Sequence, residues 1–274
     1  MNINPNNRLN IRVGQQSMAF AVADPHAANQ VVYEPFITKS GISIAANMRE
    51  AFKQSELLNR GYDNALLIVD TPTLLIPLQE FDEEQAPLLY HHAISGYEGC
   101  EVLHQVLPHL NAVVLYAINR DLKLVVGDHF SDVRYAHVMQ PIWNHMLSRS
   151  YTGNRRKLYC YFHDGKVDVF SFDKNRFRFS NVFDASYSRD AVYYILHAWK
   201  LLGYDAQADE LYLAYDQQQT DTAENRQTRE WTLTALRRYL GKAYVINPSA
   251  EFNRAPVTLI KGIPLDLVVL FVRG

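Results

Sequence analysis

Ten histidines and two cysteines are the residues of this 274-residue chain with the most obvious capacity for chemistry. His91, His92, Cys100, His104 and His109 crowd into one stretch, and on a helix Cys100 and His104 would share a face. No His-Glu-x-x-His or paired Cys-x-x-Cys accompanies them, so the spacing predicts no metal site. Arg176-Phe177-Arg178-Phe179 interleaves cations with rings, as sheets that stack nucleic-acid bases do. In a strand, however, alternation puts the phenylalanines on one face and the arginines on the other, which is inside–outside sorting. Gly-x-x-x-x-Gly-Lys-Ser/Thr, Gly-x-Gly-x-x-Gly and Gly-x-Ser-x-Gly are absent, which removes the main signals for P-loop, dinucleotide-binding and α/β-hydrolase chemistry. No catalytic residue and no cofactor is expected from the motifs.

Composition narrows the classes further. A formal charge of −2 supplies no basic field, so neither nucleic acid nor an anionic membrane is an expected partner. Cys100 and Cys160 are too few for a disulfide framework, and Cys160, alternating with Leu158 and Phe162, reads as a buried thiol. Met1–Asn7 has no apolar core of a signal peptide, and Leu265–Val272 is too short to span a bilayer. A soluble, cytoplasmic protein is expected. Seventeen tyrosines, with pairs such as Tyr159/Tyr161 and Tyr193/Tyr194, favour a protein partner.

The elements that must carry these residues repeat one plan. Leu9, Ile11 and Val13 alternate with polar neighbours as a half-buried strand, Met18–Val22 continues, and Gln30–Ile37 supplies a third strand. A helix over Ile42–Leu58 and a strand over Ala65–Asp70 follow. The second half begins again: strands across Lys157–Val182 with a tight turn at Asp164-Gly165, a helix Arg189–Leu202 capped by Ser188, and a strand Glu210–Tyr215. The two sets lie about 145–150 residues apart. Between them, Asp82 is expected to cap a helix, Ala112–Ile118 to be a strand, and Asn119–Val126 and Pro141–Arg149 to be helices. Asp216–Glu224 reads as a loop, a helix with Trp231, Ala235, Leu236 and Leu240 as its apolar stripe follows, and Val257–Val272 reads as one or two strands. Thr152–Arg156 is the expected linker, giving domains 1–153 and 154–274.

With its elements so placed, the chain resembles the actin-like ATPase superfamily, and within it an uncharacterised Bacteroidetes family of unknown function. Leu9-Asn10-Ile11-Arg12-Val13-Gly14 looks like the start of the cytoplasmic domain of the type II secretion L protein. Thr73–Glu84 is similar to the corresponding part of that protein and of the pilus-assembly actin-like protein. The resemblance implies an α/β fold: a duplicated ribonuclease-H-like architecture with two mixed-sheet halves around a cleft. In active relatives the first hairpin carries Asp-x-Gly-Thr, the Asp acting on magnesium-bound water. Here the residues are Arg12-Val13-Gly14-Gln15. The second phosphate hairpin is replaced by Phe162-His163-Asp164-Gly165-Lys166, and the adenosine-binding Gly-Gly by Leu213-Ala214-Tyr215-Asp216. The resemblance therefore implies a non-catalytic actin-like scaffold that binds another protein. The alternative is a small-molecule or phosphate-binding enzyme using the cleft, with Arg12, Gly14, Gln15 and Asp164 as cleft candidates.

Overall fold

The computed structural model describes residues 8–14, 17–216 and 222–273. The chain gathers into two compact units, Met1–Gln140 and Pro141–Gly274.

The first unit opens with three strands, β1 (Leu9–Val13), β2 (Ser17–Ala23) and β3 (Val31–Ile37), and a helix, α1 (Ile44–Gln54). Ser43 caps α1 by accepting the Ala46 amide at 3.1 Å, and the helix buries Ala45, Met48, Ala51 and Phe52. Then come β4 (Asn64–Val69), β5 (Thr73–Pro77), α2 (Ala86–Ala93), β6 (Cys100–Leu107), β7 (Ala112–Asn119), α3 (Arg120–Gly127) and β8 (Asp132–His137). Asn119 starts α3 by accepting the Leu122 amide at 2.9 Å. Five strands form a sheet in the order β3-β2-β1-β4-β8, and β5-β7-β6 form a second, antiparallel one. In the first sheet β1 and β2 and then β2 and β3 are antiparallel, whereas β1 and β4 and then β4 and β8 are parallel. The small sheet packs with α2 around Ile76, Tyr90, Val113 and Leu115.

The helix α4 (Met139–Ser150) leads into the second unit with Ile142, Trp143, Met146 and Leu147 buried. There follow β9 (Lys157–His163), β10 (Lys166–Asp173), β11 (Arg176–Asp184), α5 (Ser188–Leu201), β12 (Glu210–Tyr215), α6 (Ala223–Arg237), β13 (Ala243–Val245), α7 (Pro248–Glu251) and α8 (Leu265–Arg273). The sheet order is β11-β10-β9-β12-β13, with the same antiparallel and parallel pairs as in the first unit. The first strands of the two sheets begin at Leu9 and Lys157, and the fourth at Asn64 and Glu210. One face of this second sheet, with Leu158, Cys160, Val167, Val169, Leu211 and Leu213, packs on Ala191, Ile195 and Trp199 of α5 and on Leu236 and Leu240. Each fully buried Leu, Ile or Val contributes roughly 1.5–3 kcal/mol. Among the described residues no helix is long and apolar enough to cross a membrane.

Several local expectations are corrected. β1 is buried on both faces, with Asn10 and Arg12 only 7% and 2% exposed, because it is the middle strand and its polar side chains find partners inside. Asn10 donates to the Ala21 carbonyl at 3.2 Å. Asp82 accepts the Glu84 amide at 3.0 Å in a local turn, and the helix starts later, at Ala86. Ser188 is the first residue of α5 rather than its cap. Trp231 is 43% exposed on α6. Val257–Val272 contains no strand: Pro256–Leu259 is a single 3-10 turn and Leu265–Arg273 is helical. An apolar run of that length fits either period, and the packing around Leu265–Val269, all buried, selects the helix.

The β9–β10 connection is the predicted turn, with His163 opposite Lys166 and positive φ of 44° at Asp164 and 75° at Gly165. Gly165→Ala is expected to lower stability by about 1–2 kcal/mol, because a side chain there sits in left-handed backbone. Urea unfolding checks this; an unchanged midpoint would contradict it. Space is not the issue, since an added Cβ meets only Ser186 Oγ at 3.8 Å.

Candidate functional site

In open α/β sheets, ligands are held outside the carboxyl ends of the parallel strands. In the first unit those ends form a row in which Val13 pairs with Val69, and Val69 with His137. The ladder continues one step beyond each strand: the Asp70 amide donates to the Val13 carbonyl and the Val138 amide to the Val69 carbonyl, both at 3.1 Å. Gly14 closes the β1–β2 hairpin by donating to the Ser17 carbonyl at 2.8 Å. Arg12, Asp70 and His137 are all buried at this end of the sheet.

Two of the partners of His137 fix the orientation of its ring. Nε2 donates to the Thr71 carbonyl at 2.7 Å and Nδ1 accepts the Met139 amide at 3.2 Å. Thr71 in turn ties the segment after β4 to β7. Its hydroxyl donates to the Ala117 carbonyl at 2.9 Å and accepts the Ala117 amide at 3.2 Å. Tyr90 holds the next residue, donating to the Pro72 carbonyl at 2.7 Å. The backbone that positions Asp70 is thus anchored from two sides.

The second unit has an equivalent row. Phe162 pairs with Tyr215, and the Asp216 amide donates to the Phe162 carbonyl at 3.1 Å, so Asp216 occupies the place that Asp70 has in the first sheet. The Tyr161 hydroxyl donates to Asp216 Oδ1 and lies 3.1 Å from Asp266 Oδ2. One phenolic hydrogen therefore faces two carboxyl groups. Asp216 Oδ1 also accepts the Leu265 amide at 2.9 Å, placing a carboxylate at the positive end of α8. Beside this group His163 stacks on Tyr161 with centroids 4.4 Å apart, and its Nε2 is 2.7 Å from Asp168 Oδ2. A second cluster joins α4 to α7. Glu251 accepts from His145 Nε2 at 2.9 Å and from Arg149, while the Arg149 guanidinium lies 4.6 Å from the centre of the Tyr212 ring. The hydrogen bond from His145 and then the hydrogen bond and charge of Arg149 hold the Glu251 carboxyl down at about 2, against the opposing effect of burial.

Of the residues singled out in the sequence, Arg12 and Gly14 lie together at the strand ends of the first unit. Asp164 is in the β9–β10 turn of the second. Gln15 lies outside the described residues. Cys100 and His104 sit on β6, a strand, so they are about 13 Å apart along it rather than one helical turn. Sequence reading missed Asp70, His137, Tyr161, His163, Asp168 and Asp266 as members of polar clusters. The available signal was positional: Asp70 and Asp216 are each the first residue after the fourth strand of their sheet.

Comparison with known proteins places this architecture. The profile of a family described as protein of unknown function (DUF3822) matches residues 1–239. A Bacteroides thetaiotaomicron VPI-5482 protein with actin-like ATPase fold and unknown function is similar at a TM-score of 0.80 and 21% identity, over 98% of this chain and 97% of that one. The PilM-PilN type IV pilus biogenesis complex matches at a TM-score of 0.58 and 11% identity, over 99% of this chain and 100% of that one. The cytoplasmic domain of EpsL, from the type II secretion system of Vibrio cholerae, matches at a TM-score of 0.43 and 11% identity, over 77% of this chain and 82% of that one. The curated proteins give no significant match. The fold is the actin-like ATPase fold, with mixed sheets.

Two outcomes follow from the buried clusters. Tyr161→Phe removes the hydrogen facing Asp216 and Asp266 and is expected to cost about 1–3 kcal/mol, with faster amide exchange at the start of α8. Unchanged stability together with unchanged exchange would refute it. Because the Glu251 carboxyl is lowered from 4.5 to about 2 in the folded chain, its stabilisation is complete above pH 4.5 and is lost as pH falls through 2. Glu251→Gln should therefore lower the melting temperature at neutral pH and flatten its decline over that acid window.

Proposed function

We propose that this chain, which belongs to the DUF3822 family of proteins of unknown function, is a non-catalytic actin-like scaffold that holds another protein. The observation that carries the reading is Arg12, a buried arginine two residues before the hairpin glycine Gly14. By the motif of active relatives, this is the position of the acid that acts on magnesium-bound water. A guanidinium stays protonated and has no lone pair to offer a metal or its water. Gly14 keeps the hairpin while the chemistry at its flank is reversed in charge.

A pseudo-ATPase of this kind keeps the skeleton because the skeleton is what the partner recognises. The likeness in fold to the PilM-PilN complex, itself an assembly of two proteins, supports that role without naming this chain's partner. The two ribonuclease-H-like halves are residues 1–153 and 154–274, each holding one five-stranded sheet. The protein works in the bacterial cytoplasm, with a protein partner and without a nucleotide cofactor.

The test is thermal unfolding with and without magnesium and ATP, beside affinity capture from the source cells. The scaffold reading expects no melting shift and a specific co-purifying protein. Nucleotide bound at a hundredfold excess over its dissociation constant stabilises by about 2.7 kcal/mol, a shift of several degrees. Such a shift would reject the scaffold in favour of a ligand-binding enzyme using Arg12, Gly14, Gln15 and Asp164.

A further inference from the structure

The sheet of the second unit has one face packed on α5, so the alternate residues of its strands project from the other face. That other face carries a row of aromatic rings. Phe170 of β10 is opposite Tyr159 of β9, Tyr159 is opposite Tyr212 of β12, and Tyr212 is opposite Tyr244 of β13. Successive centroids are 5.6, 5.7 and 5.4 Å apart, and the ring planes differ by 22°, 23° and 30°. The first two pairs are stacked and the last is tilted, all at centroid distances in the favourable range. Exposure rises along the row, from 0% at Phe170 and 1% at Tyr159 to 41% at Tyr244. β13 is the last strand of the sheet, so no further strand offers a ring to Tyr244.

A cavity of about 370 Å³ lies beside this end of the row, lined by Arg149, Tyr212, Tyr244, Val245, Asn247 and Glu251 among others. That volume is at the small end of ligand sites. Its cation is already matched: Arg149 pairs with Glu251 and lies over Tyr212. A second net charge brought into this half-buried place would go uncompensated. The cavity thus offers a ring face and an apolar side at Val245, and it disfavours an added charge.

We infer that this cavity binds a small, flat, uncharged aromatic ring, such as an aromatic carboxamide, stacked on Tyr244 as a fifth rung. The site lies wholly within the second unit and does not depend on the scaffold reading, which concerns the strand ends at Arg12. Flatness is what the ladder selects, since a saturated ring of similar volume cannot stack.

Benzamide and cyclohexanecarboxamide share the amide and differ in the ring, so they separate stacking from volume. Ligand-observed NMR titration of the full chain is expected to show saturable binding of benzamide and about tenfold weaker binding of cyclohexanecarboxamide. Tyr244→Leu, at a half-exposed edge position, should weaken benzamide by about tenfold with the circular dichroism unchanged. Tyr193→Leu, at an exposed tyrosine on α5, should leave benzamide binding as it was. Absence of saturation up to the solubility of benzamide would overturn the inference. Equal binding of the two amides, or binding indifferent to Tyr244→Leu, would overturn it as well.

Discussion

Each sheet hangs on the parallel pairing of its first strand with its fourth, β1 with β4 and β9 with β12, because that seam lies in the middle of five strands. Backbone N–H and C=O groups buried there have no water to turn to, so the ladder must close completely. It closes with one bond beyond each strand, and in both units an aspartate makes it: Asp70 to Val13 and Asp216 to Phe162, each at 3.1 Å. The antiparallel hairpins outside the seam are closed by local turns. The seam joins residues far apart in sequence and sets where the carboxyl ends fall.

Polar side chains at those ends must be satisfied by protein, since burial without a partner costs more than a hydrogen bond returns. Both backbone and side-chain partners serve. In the first unit, His137, Thr71 and Tyr90 turn their hydrogen bonds onto backbone carbonyls and amides, which stiffens the chain around Asp70. In the second, side chain meets side chain: Tyr161 with Asp216 and Asp266, and His163 with Asp168. The second arrangement ties β9 to the start of α8, a phenol meeting a carboxyl group 105 residues further along the chain. Aromatic stacking adds a third device in the second unit, running across β10, β9, β12 and β13 where the first unit has aliphatic residues such as Leu66 and Ile68 on its fourth strand.

Much of the skeleton was legible because its signals are local. Glu210–Tyr215 is the strand its alternation indicated, and Asp164-Gly165 is the turn its residue types require. Asn119 begins α3 as a capping residue should. The misreadings have a common cause: a local signal was decided by a distant partner. Arg12 looks like an outward residue of an alternating strand, yet both faces of β1 are covered. Asp82 has the chemistry of a cap and spends it on a turn. Leu265–Val272 carries no period that distinguishes strand from helix, and it is the surrounding core that makes it helical. Among the polar clusters, Asp70 and Asp216 could be found by aligning the two repeats, but Tyr161 and Asp266 could not be joined by any spacing rule.

The amino-acid order by itself determined the repeated run of strand, strand, strand, helix and strand, the hairpin at Asp164-Gly165, and an arginine two residues before the hairpin glycine Gly14. These depend on side-chain periodicity, on positive φ and on residue identity, all of which act over a few positions. Tertiary structure alone decided which polar residues are buried together, which strand seam carries the aspartates, and that an aromatic row ends beside a cavity at Tyr244. Those depend on register between segments distant in sequence, and register is settled only when whole faces are buried at once.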